Sequence, residues 1–104
     1  MAQLDVYVNP DDDSREEIPF LLDIQHEMHF QLRTRLVVPL VRTEVQRAGL
    51  SALCPTFVID GQSVFASVPE VSSYPARELG DRVSNLGEKR GDIFAAVDLL
   101  LHGF

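Results

Sequence analysis

The side chains of this sequence that are capable of chemistry are few and poorly grouped. His26 and His29 stand three residues apart, a spacing that lets two imidazoles share a metal on one helical face, and His102 is the only other histidine. The segment follows an apolar strand pattern, however, and on a strand positions three apart face opposite sides. With no third ligand adjacent, exposed or interface histidines are expected rather than a metal site. Asp11, Asp12, Asp13, Glu16 and Glu17 form an acidic run. It lacks the alternating ligands, central Gly and twelfth-position Glu of a calcium loop, so a solvated acidic loop is expected. Cys54 is the only cysteine and lies between Leu53 and Pro55, just before an apolar run. No neighbour in sequence would hold it as a thiolate, and a small core residue is the expectation. There is no Gly-rich phosphate loop, Gly-x-Ser-x-Gly elbow or paired-cysteine motif. These residues predict neither a catalytic centre nor a cofactor.

The elements that would position such residues are clearer. Leu4, Val6 and Val8 alternate with Asp5, Tyr7 and Asn9, the period of a half-buried strand. Asn9 to Ser14 supplies turn formers. Apolar segments follow at Ile18–Ile24 and Leu36–Leu40, and Pro39, which donates no ladder hydrogen bond, marks an edge or the end of the second. Thr43–Leu50 has room for one or two helical turns closed by Gly49. Thr56–Ile59 and Gln62–Ala66 flank Asp60-Gly61, a pair that accepts positive φ at both centres of a type I′ turn, and they predict a hairpin. Pro69–Pro75 is turn-rich, and Ala76–Leu79 reads as a short strand. Ile93, Val97, Leu100, Leu101 and Phe104 then recur at helical spacing with Ala96 on the same side. Asn85 and Glu88 have capping-box spacing at the start of this helix, and Gly103 is its expected stop. The sum is an α+β domain, mainly β, of antiparallel strands closed by one C-terminal helix. An apolar last turn is unusual: Phe104 either docks into its own core, which composition favours, or is offered to a partner.

Length and charge narrow the function. A chain of 104 residues, 45% of them hydrophobic, is expected to form one globular domain over 1–104, with a core small enough to profit from a dimer interface. Nine basic and sixteen acidic residues leave a formal charge of −7. The basic residues are dispersed, which disfavours direct nucleic-acid binding and favours a partner with a basic face. One cysteine allows no intrachain disulfide, Met1–Val8 has no secretory pattern, and Ile93–Leu101 is too short to cross a membrane. A cytoplasmic protein is expected.

In this context several short segments, in order, resemble the CcdB family of gyrase-poisoning toxins. They are Leu4–Val8; Asp23-Ile24-Gln25, similar to the family's Asp-Val-Gln; and Thr34-Arg35-Leu36-Val37-Val38-Pro39-Leu40, similar to its Arg-x-Val-Ile-Pro-Leu. Leu53-Cys54-Pro55-Thr56 follows, then Leu86, Arg90, Asp92-Ile93 and a helix closing in Gly plus an apolar residue. The resemblance implies an SH3-like antiparallel barrel or sheet, related to that of MazF-type toxins, with a C-terminal helix, assembled as a homodimer. It implies binding to the A subunit of DNA gyrase, trapping of that enzyme on cleaved DNA, and neutralisation by a CcdA-like antitoxin whose disordered tail folds onto the toxin. It also implies a gyrase-binding set: Met28, His29, Asp98, His102, Gly103 and Phe104. His102 stands where the family has Trp, and Asp98 where it has Asn.

Two other functions fit the same fold. A MazF-like endoribonuclease would need a general acid–base pair beside a cationic anchor, for which Arg33 or Arg35 with Glu27 or His26 are the available residues. A non-toxic homologue would keep the dimer and the antitoxin groove without the poison.

Overall fold

The computed structural model of the chain describes residues 1–44 and 52–103. The alternating apolar pattern gives β1 (Asp5–Val8) and a continuous apolar run gives β2 (Phe20–Asp23), buried along its whole length; the two pair antiparallel with Val6 opposite Leu22. The Val- and Leu-rich segment after them becomes a nine-residue strand, β3 (Thr34–Arg42). β4 (Thr56–Ile59) and β5 (Gln62–Ala66) form the expected hairpin, with Asp60 at φ 49° and Gly61 at φ 77°. β6 (Ser72–Pro75) and β7 (Arg82–Asn85) complete one seven-stranded sheet, and α1 (Arg90–His102) follows.

Strand order is β4-β5-β3-β2-β1-β7, with β6 pairing on β3. β3 is the spine. Along one side it meets β2; along the other its first half meets β6 and its second half β5. No pairing joins β4 to β7 among the described residues, so the sheet is an antiparallel half-barrel with a C-terminal helix. This is the mainly β form of the expected α+β architecture.

The core lies between one sheet face and α1. Val6, Leu22, Val38, Leu40, Val64 and Phe57 meet Ile93 and Ala96 there. A smaller cluster of Val41, Cys54 and Phe65 fills the other face, so Cys54 is the buried residue expected, its thiol pushed up in pKa by burial.

Four local expectations are corrected. Pro39 sits mid-strand, opposite Leu21. Its carbonyl accepts from Ser67 N–H at 3.0 Å. The N–H and C=O of an extended residue point to the same side, so the missing donor falls in the break between β5 and β6, where no ladder bond is lost. Ala76–Glu78 is a 3₁₀ turn, and the strands lie on either side of it. Asn85 does not cap α1: its Oδ1 accepts from Gly87 N–H at 2.7 Å, opening a 3₁₀ turn over Gly87–Lys89 that leads into the helix. Finally, the helical stripe is not all core. Ile93 and Ala96 are buried and Val97 is partly buried, but Leu100 and Leu101 are exposed. From residue 45 the expected turns of Thr43–Leu50 lie outside the described residues.

Candidate functional site

A buried polar clamp at the end of β2 holds a turn whose apolar side chains are exposed. Asp23 Oδ1 accepts from Gln25 N–H at 3.0 Å, while its Oδ2 accepts from Arg35 Nε at 2.8 Å. Arg35 is only 1% exposed and also donates from Nη2 to the Gln25 carbonyl at 2.8 Å. The Gln25 side chain accepts from Leu36 N–H at 3.0 Å and donates to the His29 carbonyl at 3.4 Å. The segments Asp23-Ile24-Gln25 and Thr34-Arg35-Leu36 are therefore two halves of one device. It binds the start of β3 to the turn that leaves β2.

The turn itself is a single 3₁₀ turn, Glu27–His29, whose entry is capped by His26: Nδ1 accepts from Met28 N–H at 3.0 Å. Glu27 accepts from Gln3 N–H at 2.8 Å, and Gln3 donates to the Ile24 carbonyl at 3.0 Å. Gln3 Oε1 accepts from Arg90 Nη1 at 2.8 Å, which ties the turn to the first residue of α1. The backbone N–H groups of Gln3 and of Glu27 itself, then the charges of His26 and Arg90, hold the Glu27 carboxyl below its ordinary pKa. Held in this way, Met28 is 77% exposed and Phe30 is 71% exposed, with Leu32 and Leu36 also open to solvent. Exposed apolar side chains gathered on one short stretch mark a protein-binding surface more often than chance exposure does.

Asp98, His102 and Gly103 are exposed and lie at the other end of α1. At about 1.5 Å per residue, Asp98 is roughly 12 Å along the axis from Arg90. Leu101, 68% exposed, belongs to this last turn. Gly103 ends the helix with φ 80°, its N–H donating to the Leu99 carbonyl at 2.9 Å. Nothing lies within 4 Å of where a β-carbon on Gly103 would sit, so within the subunit this position requires the left-handed conformation rather than close approach. Phe104 lies outside the described residues. The turn carrying Met28 and His29 thus joins the start of α1, while Asp98, His102 and Gly103 stand toward its end.

Of the residues a ribonuclease would draw on, Arg35 is committed to Asp23, Glu27 accepts from Gln3 and His26 caps its own turn, while Arg33 stands exposed just before β3. Among the described residues no three His, Cys, Asp or Glu side chains are grouped to hold a metal ion. Sequence reasoning missed Phe30, Leu32 and Leu101 as surface residues and Gln3, Arg35 and Arg90 as the groups that hold the turn. The available signal was apolar residues with no period amid polar ones, but pairing across the fold is needed to read it.

A second polar group lies beside the clamp. Asp5 accepts from Arg82 Nε at 2.8 Å, Asn85 Nδ2 at 2.9 Å and Ala2 N–H at 2.8 Å. Burial pushes the Asp5 carboxyl up, but these donors win and hold it below 3.8. Burial, then the charges of Asp5 and Asp23, push the Tyr7 phenol up to about 12.

Set against known proteins, residues 3–103 match a family model described as CcdB protein. No curated protein matches the chain.

Proposed function

The chain belongs to the CcdB family, the toxins of toxin–antitoxin systems, and from that premise we propose that it binds the A subunit of DNA gyrase and traps the enzyme on cleaved DNA. The observation that carries this reading is the clamped turn and helix end, whose apolar side chains stand outside the subunit's own core. Burying one Met, Phe or Leu side chain contributes about 1.5–3 kcal/mol, so a few of them suffice for a firm protein contact without any reaction.

In this reading the toxin works by occupancy and is not an enzyme. Two copies of the 1–104 domain form a homodimer with their α1 ends near the twofold axis. They present Gly103 and Phe104, backed by Met28, His29, Asp98 and His102, to gyrase. His102 supplies a smaller flat ring than indole for stacking on a guanidinium, which lowers affinity for a given target. A CcdA-like antitoxin competes by folding its tail over an overlapping surface. The site of action is the cytoplasm; no described helix is long and apolar enough to cross a membrane.

Expression without an antitoxin, with purified gyrase assayed in parallel for trapped cleavage complexes, tests the reading. Growth arrest and trapped DNA are expected, and deletion of residues 102–104 should remove both while leaving the fold intact. Viable cells would favour the non-toxic homologue, and RNA cleavage by purified protein would favour the ribonuclease.

A further inference from the structure

We propose that Arg33 and Arg77 form an anion-recognition cleft that takes the carboxylates of an acidic peptide segment. The two side chains line one open cleft of about 540 Å³ together with Thr34, Pro75 and Ala76. That size lies within the range of ligand pockets. Their backbones are fixed by the sheet: Thr34 is in register with Pro75, and Ala76 N–H donates to the Arg33 carbonyl at 2.8 Å. Residues 44 positions apart are therefore held side by side.

These two cations are unspent. Arg15 is paired with Asp12, Arg35 with Asp23, Arg42 with Glu44 and Arg82 with Asp5, while Arg90 donates to Gln3. Among the described residues, neither the Arg33 nor the Arg77 side chain has a hydrogen bond or ion pair. In a chain of charge −7, free arginines would be expected to find local carboxylates; instead two line one cleft. A guanidinium presents a planar fork of donors that matches a carboxylate.

The surroundings select a peptide over a nucleic acid. Glu78 follows Arg77; burial first, then the charges of Glu78 and Asp11, push the Tyr74 phenol up in pKa. A polyphosphate needs an extended positive track, which this acidic neighbour interrupts. Single carboxylates on a mixed segment need only two forks, and Pro75 and Ala76 offer apolar surface for the residues between. That the peptide comes from the antitoxin rests on the function proposed above. The chemistry of the cleft does not.

The test uses the full ¹⁵N-labelled chain and a synthetic peptide, (Glu-Leu-Asp)₄, with (Gln-Leu-Asn)₄ as its neutral control. The Nε–Hε resonances of Arg33 and Arg77 should shift saturably with the acidic peptide alone. Arg33→Gln with Arg77→Gln should weaken binding about tenfold, and the charge-matched pair Arg42→Gln with Lys89→Gln less than twofold. Arg77→Lys, which keeps the charge but not the fork, should weaken it in an unchanged fold. Unmoved arginine resonances, equal losses in the two double variants, or tighter binding of a 12-nucleotide single-stranded RNA would overturn the proposal. Growth arrest is scored separately: peptide binding without arrest keeps the cleft and removes the gyrase reading, and arrest without peptide binding does the reverse.

Discussion

At the scale of single residues, the clamp is held by a buried ion pair with no solvent to replace a lost partner. Removing one member of such a pair leaves an uncompensated charge and costs about 3–5 kcal/mol, whereas an apolar replacement of both is often near neutral. Arg35→Met should accordingly cost about that much in urea unfolding, and Asp23→Leu added to it should restore most of the loss. The two buried carboxylates respond to pH in opposite senses. Asp5, lowered by its donors, contributes stability that is complete above 3.8 and lost as pH falls through its depressed native value. Burial raises Asp23 despite Arg35, so its contribution weakens as pH rises from 3.8 through the raised value. Urea midpoints taken from pH 7 down to pH 2 should show a shallower acid loss for Asp5→Asn than for the parent.

Among the elements, the β1–β7 edge is the most demanding. β7 is a polar four-residue strand, and Val8 N–H reaches the Asp81 carbonyl at 2.8 Å just beside Gly80. A β-carbon on Gly80 would collide with the Val8 carbonyl oxygen, which is backbone and does not yield cheaply. Gly80→Ala should lower stability by about 1–3 kcal/mol, read as a shift of the thermal midpoint. α1 divides differently. Its first two turns bury Ile93 and Ala96, and its last turn leaves Leu101 in solvent. Leu101→Glu should therefore change the far-ultraviolet dichroism little, while Ile93→Ala should cost about 2–5 kcal/mol. A helix that served only its own core would show the same penalty at both ends.

For the whole molecule, the exposed apolar surfaces at the Met28 turn and the α1 end are two features among the described residues that the subunit's own core does not use. Met28→Glu combined with Leu101→Glu should leave the intrinsic stability of the subunit within about 0.5 kcal/mol, as surface changes usually do. In the dimeric reading, sedimentation velocity should then give a monomer, and gyrase should no longer be trapped. A stable, gyrase-active dimer from the same double variant would remove these surfaces from the mechanism.

How much of this was readable in advance depends on the range of the forces involved. The Asp60-Gly61 hairpin, the alternation of β1, the helical period ending at Gly103 and the core place of Cys54 follow from φ preferences and hydrophobic period, which act over a few neighbouring residues. The acidic charge, too, is a property of composition. β6 and β7 were not readable, because Ser72–Pro75 and Arg82–Asn85 carry little apolar pattern and are strands only through partners on β3 and β1. Pro39 was misplaced for the same reason: whether its missing donor matters depends on which neighbour faces it. In the site, Met28 and His29 were indicated by resemblance alone. Asp23 meeting Arg35, Gln3 linking Glu27 to Arg90, and Arg33 lining a cleft with Arg77 are meetings of side chains remote in sequence. Such encounters are set by sheet register, and register is decided only when the chain closes on itself.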